Sequence, residues 1–245
     1  MKELVNKLNE ARKAYYFGEQ SPLSDREYDA LYDRLVSMEV ETGIILPGSP
    51  TQEVGYTVVS ELSKVKHEQK ALSLDKTKDV HFLETWLGTQ DGVLSWKMDG
   101  MTVVATYENG QLIMAATRGN GEIGENVTHN ARCIKGLPMK IRETGKVIVR
   151  GECILSYNDF EKIKESENGE YKNPRNLANA SLRLYDSKKA STRHLQFKAF
   201  TLVECPKMPK TVEESFHWME KQGFTGSEIE AVFYKNVLRL YKEIL

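Results

Sequence analysis

The chain has 245 residues, 40% of them hydrophobic and 28% charged, with a formal net charge of −1. That length and balance predict a soluble globular protein with one large domain, or a main domain and a smaller companion. They exclude a membrane protein, since no apolar run approaches the roughly 20 residues a membrane helix needs, and a protein that coats nucleic acid by bulk electrostatics.

The opening MKELVNKLNE lacks the apolar core of a secretion signal, so a cytoplasmic location is expected. Leu4, Leu8, Ala11 and Tyr15 recur at helical spacing. Ser24 followed by Glu27 is a capping box that opens a second helix carrying Tyr28, Leu31, Tyr32 and Leu35. ILPGSPTQEVG then breaks the pattern, and its Pro47, Gly48 and Pro50 predict a boundary between a helical domain over 1–55 and a second domain over 56–245. From about residue 92 the periodicity is that of strands. MTVVATY and QLIMAAT flank Glu108, Asn109 and Gly110, and Asn-Gly between two β-prone runs is a strong hairpin signal. KVIVRGECI and LQFKAFTLV read as further strands, with a helix beginning near Ser156 between them. Thr211 with Glu214, and Ser227 with Glu230, predict two closing helices. Strands and helices in this irregular order argue for an α+β fold.

Cys133, Cys153 and Cys205 form no CxxC pair, so neither a disulfide framework nor a zinc site is indicated. Between positions 171 and 194, Lys172, Arg175, Arg183, Lys188, Lys189 and Arg193 stand against one acid, Asp186. Such a run suits a phosphate-contacting surface, and equally a solvated basic face.

In SWKMDGMTV a lysine sits at the end of an apolar strand, two residues before an Asp-Gly turn. Its amine would stand at a sheet rim beside a carboxylate and a flexible backbone. An amine attacks only when neutral, and burial or neighbouring cations favour that state; an exposed strand-end lysine is the plainer alternative. ATRGNGEIGENVTHN sets Gly119, Gly121 and Gly124 around Arg118, a loop that could approach a ligand closely and grip phosphate or ribose, or simply turn. In VRGEC, Arg150 and Glu152 alternate about a glycine and share one strand face. They could pair structurally, hold a ribose hydroxyl, or hold a metal-bound water.

These pieces resemble, in order and spacing, the nucleotidyltransferase superfamily of DNA ligases and RNA capping enzymes: KMDG is similar to its lysine motif and RGE to its ribose-binding motif. YKNPRNLANASLRLYD, ATRGNGEIGENVTHN and ALSLDKT narrow the likeness to the NAD-dependent DNA ligases. AYYFGEQSPLSDREYDALYDRL followed by GSPTQEVG looks like the small domain with which that family recognises the nicotinamide mononucleotide half of NAD. The resemblance implies a nucleotidyltransferase-type, ATP-grasp-like antiparallel sheet domain with flanking helices. It further implies Lys97 as the nucleophile that takes AMP from NAD, Asp99 as the carboxylate near ribose or metal, and Gly100 as the turn beside them. Ser73, Leu74 and Ser95 would line the adenine side, and Arg118 and Glu152 would bind adenosine. Tyr15, Tyr16, Asp25, Tyr28 and Asp29 would contact nicotinamide mononucleotide, and Arg175 and Arg183 would face phosphate or nicked DNA. Mg²⁺ is implied as a second cofactor, with no metal ligand set assigned in this chain.

Departures from the family pattern stand beside these matches. Ser95 replaces the usual glutamate, Tyr16 stands where histidine is common, and Asn120 where the Gly-rich loop has aspartate. Nothing resembles the family's DGVVIK and later lysine motifs, its oligonucleotide-binding fold, its four-cysteine zinc module or its helix-hairpin-helix region. Two explanations fit, a piece of a longer ligase or one subunit of a split ligase whose partner supplies those parts; the expectation favours the second, an adenylation component with poor nick sealing alone. An inactive NAD- or partner-binding pseudo-ligase module is the alternative, and an ATP- or GTP-dependent nucleotidyltransferase a further rival.

Overall fold

The structure, a computed structural model, describes residues 1–17, 21–46, 49–51, 62–71, 77, 79–90, 92–166, 171–225 and 232–234. Its first elements are the expected helices, α1 (Lys2–Phe17) and α2 (Asp25–Thr42). Local chemistry sets both ends of α2. Ser24 Oγ accepts from the Glu27 amide at 3.3 Å, and the Glu27 carboxylate accepts from the Ser24 amide at 2.9 Å, closing a reciprocal cap. Gly43, at φ 67°, ends the helix in the left-handed conformation that glycine adopts without steric cost. Val5, Leu8 and Leu35 form the buried centre of the pair, with Tyr28, Leu31 and Tyr32 packed against it. Just beyond, Ser49 and Thr51 both donate to the Glu39 carboxylate at 2.6 Å. Pro47 and Gly48 of the expected boundary lie outside the described residues.

The remaining elements follow as β1 (Lys64–Lys66), α3 (Val80–Leu87), β2 (Gly92–Leu94), β3 (Met101–Glu108), β4 (Gln111–Thr117), β5 (Ile123–Glu125), α4 (Thr128–Ala131), β6 (Val147–Ile154), α5 (Tyr157–Ser166), α6 (Pro174–Leu182), α7 (Ser187–Ser191), β7 (Gln196–Glu204), α8 (Val212–Lys221) and β8 (Val232–Tyr234). The class is α+β, as expected. Four strands make an antiparallel sheet in the order β4-β3-β6-β7, while β1 pairs with β5 and β2 with β8. The β3–β4 hairpin turns on Asn109 at φ 50° and Gly110 at φ 73°, the conformation that the Asn-Gly signal anticipates.

The alternation of each strand divides the sheet into two faces. Val103, Ala105 and Tyr107 of β3, Val149 and Cys153 of β6, and Phe197 and Ala199 of β7 pack into the main core with Leu177, Ala178 and Leu182 of α6. A Cβ on Gly151 would meet the Phe197 ring at 2.2 Å, so the glycine between Arg150 and Glu152 lets that ring lie against the strand. On the opposite face, Thr102 stands across from Glu152 and Val104 across from Arg150. Among the described residues, that side carries a small apolar patch of Ala71, Val104 and Ile148 beside these polar groups.

The closing segment differs from expectation. Thr211 caps α8 as anticipated, accepting from the Glu214 amide at 3.1 Å. Ser227 and Glu230 lie outside the described residues, and where their helix should continue, Val232–Tyr234 is a strand paired antiparallel with Gly92–Leu94. Pairing gives the backbone groups of that short strand their ladder partners. No helix among the described residues is long and apolar enough to cross a membrane. All of the cysteines are free.

Candidate functional site

At the polar face of the sheet, Glu152 is linked to the segment carrying Lys97, Asp99 and Gly100, and Asp99 to Arg175. Glu152, only 8% exposed, accepts from the Gly100 amide at 3.2 Å and from Thr102 Oγ1 at 2.8 Å. Gly100 is required there, because a Cβ would lie 2.2 Å from the Cys153 carbonyl oxygen. The link carrying Lys97 and Asp99 is thereby pressed against β6. Burial pushes the Glu152 carboxyl above the ordinary glutamate value of 4.5, while the Thr102 hydrogen bond and the positive charges of Arg175, Lys97 and Arg118 pull it back. Three cations from distant parts of the sequence thus act on one carboxylate.

Each cation is delivered by identifiable local structure. Lys97 lies on the irregular link between β2 and β3, three residues past the strand end where the sequence reading put it, and its side chain is exposed. Of the two ways of favouring a neutral amine, burial is not present at Lys97, and its exposed position past the strand end matches the plainer alternative. Arg118 follows the last residue of β4, and its amide donates to Thr102 O at 3.0 Å. Arg175 comes from the first turn of α6, where Asn173 is the N-cap, accepting from the Asn176 amide at 2.8 Å, and Pro174 is the first helical residue. An arginine at the positive end of a helix is electrostatically unfavourable. Asp99 answers it, with Oδ1 2.7 Å from Arg175 Nη1.

The Gly-rich loop is shaped by its own side chain. Asn120 Oδ1 accepts from the Glu122 and Ile123 amides at 3.0 and 2.8 Å, between Gly119 at φ 57° and Gly121 at φ 92°. An aspartate oxygen would accept the same bonds, so Asn120 preserves the turn.

Other expected residues are placed elsewhere. Arg183 is bound through Nε to Glu125 Oε2 and through Nη1 to Asn179 Oδ1, both at 2.5 Å, on the far end of α6 from Arg175. Arg150 does not pair with Glu152; its Nη2 donates to the Gln69 and Lys70 carbonyls at 3.2 and 3.0 Å. Ser95 is exposed on the same link as Lys97. Tyr28 is half-buried in the helical pair, its ring stacked on Tyr32 with centroids 6.2 Å apart, and Asp29 is half-buried beside it. Tyr15, Tyr16 and Asp25 lie in α1 and α2, but their side chains are outside what is described, as are Ser73 and Leu74 entirely. Sequence reasoning missed Thr102, His67 and Glu125. Thr102 was recoverable from strand alternation, whereas an acid in a glycine-rich stretch such as Glu125 reads as solvated.

Among the described residues no group of three or more His, Cys, Asp or Glu comes together to hold a metal. The exposed Asp99 carboxylate beside Lys97 suits an ion such as Mg²⁺, which takes one or two carboxylates and completes its shell with phosphate and water.

Glu152 makes a testable contribution to stability. Between the ordinary value and its raised one, the folded chain retains a proton that the unfolded chain has released. Stability therefore falls as pH rises through that window and stays lower above it. Glu152→Gln removes the titration, so thermal melts across a pH series should lose that downward step relative to the parent. A step of undiminished size in the variant would assign it to another group.

A four-stranded antiparallel sheet flanked by helices is the architecture of a nucleotidyltransferase-type adenylation domain. The sequence profile of the NAD-dependent DNA ligase adenylation domain matches residues 59–244, and that of the DNA ligase-like N-terminal NAD⁺-binding domain matches residues 1–55. The chain is 46% identical over 240 residues to a DNA ligase of Lachnoclostridium phytofermentans and 45% identical over 242 residues to one of Ruminiclostridium cellulolyticum. These alignments cover 96% and 97% of this chain and 37% of each relative. A DNA ligase of Clostridium tetani is 37% identical over 212 residues, 79% of this chain and 32% of that protein. The chain belongs to the NAD-dependent DNA ligase family, and it spans little more than a third of the length of the relatives it matches.

Proposed function

We propose that this chain is the adenylate-accepting part of an NAD-dependent DNA ligase, residues 1–55 binding the nicotinamide mononucleotide half of NAD and residues 56–245 accepting AMP. The Lys97 amine bonds to the α-phosphorus of NAD. The phosphorus–oxygen bond to nicotinamide mononucleotide breaks, the amine gives up its proton, and a lysyl-AMP phosphoramidate results. The single observation that carries this is buried Glu152 bonded to the Gly100 amide, which ties the Lys97–Asp99 link to β6 while Asp99 pairs with Arg175. In the same reading Glu152 and Arg118 bind the adenosine moiety, and Arg175 offsets charge on the phosphoryl oxygens. Tyr28 and Asp29, with Tyr15, Tyr16 and Asp25, meet the nicotinamide half, while Ser73, Leu74 and Ser95 lie along adenine. Asp99 would hold Mg²⁺, which supplies further charge neutralisation at phosphate when bound.

Transfer of AMP to the 5′-phosphate of a DNA nick, and its displacement by the 3′-hydroxyl, belong to the whole ligase. We assign them to this chain together with a second polypeptide, acting in the cytoplasm. Arg175 then serves the phosphate, and Arg183 reaches DNA only with whatever its pairing to Glu125 leaves available. Ser95, offering a hydroxyl where relatives of this type carry a carboxylate, favours the second reading of an NAD-holding module that transfers nothing.

Donor choice tests the assignment. Incubated with Mg²⁺ and either NAD or ATP, with and without lysate from the source, the chain should take up labelled AMP from NAD and release nicotinamide mononucleotide. AMP taken from ATP instead would contradict NAD dependence. NAD binding without nicotinamide mononucleotide release in either condition would establish the holding module.

A further inference from the structure

We propose that His67 is a positioning residue for Arg118, its imidazole fixing the end of β4 from which that guanidinium is presented to AMP. The proposal rests on the reading of Arg118 as an AMP-binding residue.

In an extended strand, successive carbonyls point to opposite sides. Here the carbonyl oxygens of Thr117 and Arg118 both lie within reach of one atom, His67 Nε2, at 3.0 and 3.1 Å. Such convergence arises where a strand stops and the backbone swings round, and Gly119 at φ 57° follows at once. Carbonyls only accept, so Nε2 carries the hydrogen and the ring's tautomer is set. The same Arg118 carbonyl accepts from the Gly121 amide at 3.0 Å, and the Arg118 amide donates to Thr102 O at 3.0 Å. The backbone of Arg118 is thus held at both of its polar groups.

His67 is itself anchored. Its amide donates to Glu122 O at 2.8 Å, the Ala71 amide donates to Gly121 O at 2.8 Å, and β1 pairs with β5 just before it. Arg150 grips the Gln69 and Lys70 carbonyls behind it. Gly124 leaves the slot for the ring: a Cβ there would stand 2.9 Å from Nε2 and 1.8 Å from Thr117 O. Burial pushes the His67 pKa below the ordinary histidine value, which keeps the ring from adding charge beside Arg118 and Arg150. The turn itself does not need an imidazole, because Gly119, Gly121 and the Asn120 side chain already form it. What the ring adds is a fixed end to β4, at the residue whose positive charge acts on Glu152.

The test is AMP binding by isothermal titration calorimetry on the full chain. His67→Phe keeps the ring without the donor, and Arg118→Ala removes the group it positions. Each should weaken AMP by about tenfold, the worth of one hydrogen bond to a charged group. The double variant should bind no more weakly than Arg118→Ala, because an absent guanidinium cannot be mispositioned. His67→Gln, which carries an N–H the same number of bonds from Cα, should recover most of the loss. Losses that add in the double variant, or a His67→Phe chain that binds like the parent, would overturn the proposal. The parent needs no mutation for a second readout, ring-nitrogen chemical shifts, which should report His67 as the Nε2–H tautomer; an Nδ1–H tautomer would also overturn it. An Arg118→Ala chain that binds AMP like the parent would instead sink the reading of the site on which the proposal stands.

Discussion

Arg183→Ala will destabilise the fold by about 3–5 kcal/mol, the usual cost of stripping one partner from a buried ion pair. Glu125 is fully buried, its Oε2 is 2.5 Å from Arg183 Nε, and its Oε1 has no hydrogen-bond partner among the described residues. Arg183 is thus the partner that holds this buried carboxylate among the described residues. Removing Arg183 leaves that charge in the interior, between β5 and the end of α6. Urea denaturation of the parent and the variant reads the loss directly. A surface arginine with no such duty would shift stability by no more than about 0.5 kcal/mol, and a shift that small would show that the pair does not bear on stability. Replacing both partners with apolar residues should recover much of the loss, since burying two ions costs more than burying hydrocarbon of similar volume.

Gly100→Ala should slow AMP uptake by about a hundredfold while leaving the four-stranded sheet intact, the scale of loss that a reactive group displaced by about 1 Å produces. The added Cβ would stand 2.2 Å from the Cys153 carbonyl and 2.9 Å from the Ile154 side chain. The backbone oxygen belongs to a central strand, so the link must move instead. Its movement breaks the Gly100 amide bond to Glu152 and carries Lys97 and Asp99 away from the carboxylate. Single-turnover labelling from NAD measures the rate, and far-ultraviolet circular dichroism checks the sheet. Parent-like labelling in this variant would mean that the contact does not hold the link in place.

Much of the scaffold was legible because its causes are local. Asn109-Gly110 needs two positive φ angles and obtains them from two adjacent residues; the Ser24 and Thr211 caps act over three positions. The strand alternation that puts Arg150 and Glu152 on one face is equally local, although their shared face did not make them a pair. The long-range pieces left little trace. β1 is three residues with lysines at both ends, and only pairing with Ile123–Glu125 makes it a strand. His67 and Thr117 are 50 residues apart, and Glu125 and Arg183 are 58 apart. No periodicity reports a hydrogen bond between such partners. β8 is likewise a strand only through its pairing with β2, far away in the sequence. The site divided along the same line: motif residues pointed to Lys97, Asp99, Arg118, Glu152 and Arg175, while the groups that hold them became visible only in three dimensions.

Everything functional here depends on one amine taking AMP, and peptide mapping by mass spectrometry after incubation with NAD and Mg²⁺, in the presence of source lysate, reads that amine directly. The adenylate mass should fall on the peptide containing Lys97 and vanish in Lys97→Ala. Adenylate on another residue, or an unmodified Lys97 under conditions where nicotinamide mononucleotide is released, would contradict the assignment.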